Sequence, residues 1–192
     1  MHHPRFSFSV ALATISLLIA CSVASFAQSR DFKDQDLSRK NFTEQNLNGA
    51  NFSGATLQYA DFSRASLKGA DLREADLRNA TFYMADLTGA DLRNVIGPFH
   101  ANDANFSGVN LEGVDLKGYL HQKVNFRGAN LRNTKGWSCA DCNFRQADLR
   151  GASLLGLSQN MSSNLFIGAI YDEDTGWPSW MNGAPPDAKR AQ

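Results

Sequence analysis

The chain has 192 residues, with nineteen basic side chains against nineteen acidic ones. That balance excludes the strongly charged surface by which a whole chain binds nucleic acid or an anionic membrane. Apolar residues make up 43%, enough to build a core, so global disorder is excluded as well. Fifteen Asp and sixteen Asn stand against only four Glu, a bias towards turns and locally bonded backbone that argues against a helical bundle.

Residues 1–27 read as an export signal. Arg5 supplies a positive start, and Phe6 to Ala20 form an apolar stretch interrupted only by Ser7, Ser9, Thr14 and Ser16. Ser25 and Ala27 place small residues at a cleavage site of the Ala-x-Ala type. The stretch is short for a membrane-spanning helix, and no later segment is long enough to span. Leu18-Ile19-Ala20-Cys21 also resembles a bacterial lipobox, in which Cys21 is lipidated and becomes the first residue of the mature chain. Cleavage after Ala27 and anchoring through Cys21 therefore both stand as expectations. Either leaves one domain or one elongated array.

The dominant signal is a period of five. A Leu or Phe recurs without a miss at Phe32, Leu37, Phe42, Leu47, Phe52, Leu57, Phe62, Leu67, Leu72, Leu77, Phe82, Leu87 and Leu92. Ala stands two residues before each centre from Phe52 onward, and Asp or Asn usually stands between them. On a helix, residues five apart drift about 140° per step and make no face. On a continuous strand, an odd period throws successive centres to opposite sides. A short extended piece followed by a corner keeps every centre facing one axis, with Ala and centre inward and the Asp or Asn outward.

This unit, Ala-(Asp/Asn)-(Leu/Phe)-x-x, resembles that of the pentapeptide-repeat family over most of residues 30–171. The resemblance implies an all-β fold, a right-handed quadrilateral β-helix with four pentapeptides in each coil of about twenty residues. Columns of twenty agree with it: Phe42, Phe62 and Phe82 fall in one, Leu47, Leu67 and Leu87 in the next. The expected organisation is a signal at 1–27, a solenoid at 28–171, and a cap with a loose tail at 172–192.

The register then breaks near residues 95–103, 119–124 and 133–141. Leu92 to Phe106 is one residue short of three repeats, and Leu131 to Phe144 is two short. Between them His121 takes a centre position behind Tyr119. Corner bulges or loops pushed out of the stack are expected at these places, and a binding feature with them. At the start, Arg30, Gln35, Lys40 and Gln45 replace the inward Ala and read as a polar cap over an exposed strand edge. At the end, the run from Tyr171 to Pro178, with Trp180, resembles the terminal segment of some pentapeptide-repeat proteins.

Chemistry is sparse. Cys139-Ala-Asp-Cys142 offers a structural disulfide, a packed thiol pair or a thiol–disulfide exchanger. No second cysteine pair completes a zinc site. His100, His121 and Asp103 come without a nucleophile or a cleft. Asp71 and Asp91, with Arg73 and Arg93 two residues along, read as a solvated charge ladder. No catalytic, metal or cofactor site is expected. The functional expectation is a non-enzymatic exported scaffold in a periplasm or thylakoid lumen. It binds an unidentified protein partner through loops or a wall, binds no nucleic acid, and touches a membrane only if lipidated at Cys21. A redox role for Cys139 and Cys142 is the alternative.

Overall fold

The structure, a computed structural model, describes residues 30–117, 121–159 and 161–192. Residues 1–27, read above as an export signal, and Cys21 within them lie outside the described residues, as do Gly118, Tyr119 and Leu120. Residues Asp31–Gln192 form a compact unit of their own.

Each five-residue unit makes the same local structure. The centre carbonyl accepts a bond from the N–H three residues on, as between Phe52 and Ala55 at 3.0 Å. The residue before that donor is left-handed, with φ of 67° at Gly54 and 62° at Gly69. This is a type II turn, which needs positive φ at its third residue. Arg64 and Glu74 hold the same place at φ 58° and 62°, so the coil imposes the turn even where the residue does not favour it. Two extended residues remain between turns, and each wall is therefore built from single bridges.

Those bridges are parallel and, over the regular part, twenty residues apart: Asp31 pairs with Asn51, Asn51 with Asp71, Asp71 with Asp91, and three other series run alongside. In each, a centre N–H donates up, as Phe52 to the Asp71 carbonyl at 2.7 Å, and the outward residue donates down, as Asp71 to the Ala50 carbonyl at 2.9 Å. Four stacked walls result. Every centre and every Ala from Ala50 to Leu92 is at most 1% exposed. The intervening Asp or Asn faces out and binds the corner, its Oδ1 accepting the N–H two residues on, at 3.0 Å for Asp71 and 3.1 Å for Asn51. Phe32 and Leu37, in the terminal coil, are only partly buried.

The first and last breaks are not the expected bulges. They are shortened coils. Thr81 pairs with His100, nineteen residues on, and Asn125 with Asn143, eighteen on. The residues left at these corners, Val95, Phe99 and Trp137, turn inward and are buried. Trp137 brings a polar atom with it. Its indole N–H donates to Thr134 Oγ1 at 2.9 Å, and that hydroxyl donates to the Leu131 carbonyl at 2.6 Å. Across the middle break the stack holds register, Asn105 pairing with Asn125 and Asn110 with Asn130, twenty residues apart, and His121–Gln122 then runs parallel to Cys139–Ala140 on the short coil. Extra residues enter later: Asp148 pairs with Ile170 and Ser153 with Gly176, spacings of twenty-two and twenty-three. A 3-10 turn, Ser163–Phe166, accommodates some of them.

The phenylalanines form one continuous spine that changes walls. Phe42, Phe62 and Phe82 stack at 4.8 and 5.0 Å on the third wall. Beyond the first short coil that wall carries Ala101, while the fourth passes from Leu87 to Phe106. Phe126, Phe144 and Phe166 continue there, stacked at 5.6 and 5.3 Å. What one wall loses in volume its neighbour gains, so packing density is held.

Both ends are covered. Gln35 and Gln45, at inward-Ala positions, reach back with Nε2 to the Asp31 carbonyl at 3.2 Å and the Asn41 carbonyl at 3.4 Å. In later coils the preceding turn of the solenoid satisfies such carbonyls. At the far end Trp180 donates to the Leu157 carbonyl at 3.2 Å, and Trp177 lies edge-on to Phe166 at 5.6 Å. The tail expected to be loose at the end of 172–192 instead adds a strand: Lys189–Arg190 runs parallel to Ile170–Tyr171. Lys189 N–H bonds the Ala169 carbonyl at 2.7 Å. The last coil offers an open edge, and the tail is long enough to occupy it.

Candidate functional site

Cys139 and Cys142 lie on the short coil, bonded sulfur to sulfur with Cα atoms 6.0 Å apart, inside the range for a disulfide. Both are fully buried. Cys139 sits where earlier coils of the third wall carry Phe, and no attacking thiolate reaches either sulfur without displacing core. His121 aligns with Cys139 in backbone register, and His100 with Thr81 on the third wall. Among the described residues no three of His, Cys, Asp and Glu group as metal ligands. No helix among them is long and apolar enough to cross a membrane.

The charged ladder is present as expected. Arg73 bridges Asp71 at 2.6 Å and reaches Asp91 at 4.0 Å, and Arg93 pairs with Asp91 at 2.7 Å. Arg78 grips Asp76 at 2.7 Å and Arg150 grips Asp148 at 2.5 Å. The hydrogen bond from Arg73 holds the Asp71 carboxyl below its ordinary range, and that from Arg78 does the same for Asp76. For Asp91 and Asp148, burial pulls upward, but the bonds from Arg93 and Arg150 with the backbone N–H outweigh it, and both are lowered. These groups are held ionised, so they serve poorly as general acids.

Asparagines build a second ladder on the fourth wall. Asn105 Nδ2 donates to Asp86 Oδ1 at 3.3 Å, Asn125 to Asn105 at 3.1 Å, and Asn143 to Asn125 at 3.0 Å. Beside its far end an open depression of about 310 Å³ is lined by Arg127, Asn143, Arg145, Gln146 and Ile167. Reading by centres passed over these arginines. The available signal was the change from Asp-Leu-Arg units to Asn-Phe-Arg at 125–127 and 143–145.

Parallel bridges on four walls, twenty residues per coil, define a quadrilateral β-solenoid. The family model of pentapeptide repeats (8 copies) matches residues 31–64 and 57–94, and the chain belongs to that family, whose coil is right-handed. No curated protein matches it. Among solved structures it is similar to HetL, a pentapeptide repeat protein involved in heterocyst differentiation regulation from the cyanobacterium Nostoc sp. strain PCC 7120. The identity is 19% over 86% of this chain and 91% of that one, with a TM-score of 0.39. It is similar to QnrB1, a plasmid-mediated fluoroquinolone resistance protein, at 14% over 84% and 90%, TM-score 0.38. A pentapeptide repeat protein from the Arabidopsis thaliana thylakoid lumen is 30% identical over 62% and 67%, TM-score 0.25.

Proposed function

We propose that the chain is an exported, non-catalytic scaffold that binds a protein partner on the walls and turns of its solenoid. One observation carries this reading. The interior is filled by Phe, Leu and Ala, and the repeated polar groups outside are bonded to each other and to corner backbone, which leaves shape and surface pattern as the means of recognition. The leader and the lipobox-like Leu18–Cys21 support export to a periplasm or thylakoid lumen, soluble or tethered. A Cys139–Cys142 disulfide fits an oxidising compartment. The near-zero net charge favours a protein over nucleic acid.

Intact mass of the chain recovered from its native host tests the export half. A start at Gln28 or a lipid-bearing start at Cys21 supports it, and a full-length unmodified chain in the cytosol overturns it. Crosslinking in the same host tests the binding half. A specific protein retained by the wild type and lost on charge reversal of one wall supports the reading. No specific protein retained, under any crosslinker length, counts against it.

A further inference from the structure

We propose that Arg127 and Arg145 form a binding site for an oxyanion, the carboxylate or phosphate group of a ligand, on the fourth wall. At four other places an arginine just after a centre is neutralised by the aspartate just before it, as in Asp71–Arg73, Asp76–Arg78, Asp91–Arg93 and Asp148–Arg150, and Arg132, which follows Asn130, is met by Glu112 at 4.0 Å instead. At Arg127 and Arg145 that partner is Asn125 or Asn143, which carries no charge. Neither arginine has an ion-pair partner among the described residues. The asparagines are already committed. Asn125 Oδ1 accepts from the Arg127 N–H at 3.2 Å and from Asn143 Nδ2 at 3.0 Å, while its own Nδ2 serves Asn105.

The two arginines are one coil apart, since Asn125 and Asn143 are bridged, a rise of about 4.8 Å. They line the same depression of about 310 Å³, ample for one carboxylate or phosphate. Arg127 Nε donates to Gln146 Oε1 at 3.0 Å, which fixes the fork and leaves its terminal nitrogens for a ligand. Two planar guanidiniums side by side repel unless an anion lies between them, and their forks match a two-oxygen group. Ile167 gives the depression an apolar edge for the ligand's carbon frame.

The test is titration of the full chain with inorganic phosphate and, separately, with an acetylated and amidated Glu-Glu dipeptide, followed by the arginine Nε–H NMR signals. The expected result is saturable movement of the Arg127 and Arg145 signals with one or both probes, while those of Arg73 and Arg93 stay in place. The probe that saturates at lower concentration names the source. Arg145→Gln, which leaves the asparagine ladder alone, should weaken binding about tenfold or more. The double variant N125D/N143D rebuilds the internal ion pairs and should do the same. Saturation by neither probe, equal movement of the paired arginines, or undiminished binding by Arg145→Gln overturns the proposal. Small anions alone are used, so failure here leaves the protein-scaffold reading standing.

Discussion

The ring of Phe99 meets that of Phe82 edge to face at 5.6 Å, and by this contact the spine leaves the third wall. Phe99 then stacks on Phe106 at 6.1 Å with the planes 1° apart, delivering the spine to the fourth. The residue omitted from this coil is therefore compensated by a ring from its corner. Truncation should leave a void no neighbour can fill, because the rings on both sides are pinned by coils above and below. Phe99→Ala is expected to cost about 3–5 kcal/mol and Phe99→Leu markedly less. Urea unfolding of the two variants checks this. Equal, small losses for both would show that the corner collapses freely and that the ring is not a relay.

Acid should weaken the solenoid through its Asp-x-Arg pairs. The carboxyls of Asp71, Asp76, Asp91 and Asp148 are lowered in the folded chain. The unfolded chain therefore takes up protons first as pH falls. Their contribution is fully present above the unfolded value of about 3.9 and disappears as pH drops through the folded values. Stability should be flat from these groups between pH 8 and 5 and decline below about pH 4. The D71N/D91N variant should show a shallower acid limb in urea midpoints. An unchanged limb would mean that solvent screens these half-exposed pairs completely.

The walls were legible because one residue type in five has one job. Leu37 to Leu92 face inward for the same steric reason at each step, so counting finds them. Phe99 and Trp137 were not legible, since they fall between centres. Whether a missing residue makes a bulge or a short coil depends on whether a corner side chain fits the core. That is a question of volume rather than of period. The Lys189–Arg190 strand was hidden for a related reason. Its pairing to Ile170–Tyr171 is bonded through backbone and requires no particular side chain. At Arg127 and Arg145 the neutral ladder beside them was written in the sequence as Asn for Asp, but its consequence appears only when coils are stacked.

Gln35 and Gln45 cap the first coil by bonding its outward carbonyls. In Q35A/Q45A these acceptors return to water rather than to a buried void, so each lost bond should cost less than about 1 kcal/mol. The larger effect is on association, because an unblocked parallel edge is a template for a second chain. Sedimentation velocity should show concentration-dependent dimers or longer species for the variant at concentrations where the wild type is a single species. A variant that sediments like the wild type would assign the protection to other residues of the first coil.

Cys139 and Cys142 are both fully buried, and this separates a staple from an exchanger. Exchange requires in-line attack of an outside thiolate on an accessible sulfur. In the folded chain, dithiothreitol should leave the pair closed, and alkylation should begin only at urea concentrations that unfold the solenoid. The bond closes a very short loop, so its loss in C139A/C142A should cost only about 2 kcal/mol by the chain-entropy relation. The accompanying loss of packing at the Cys139 position adds to that. Serine in place of alanine should be worse, because each hydroxyl is then buried among apolar neighbours. Rapid alkylation of both sulfurs under native conditions, with the near-UV circular dichroism unchanged, would overturn the staple and restore a redox role.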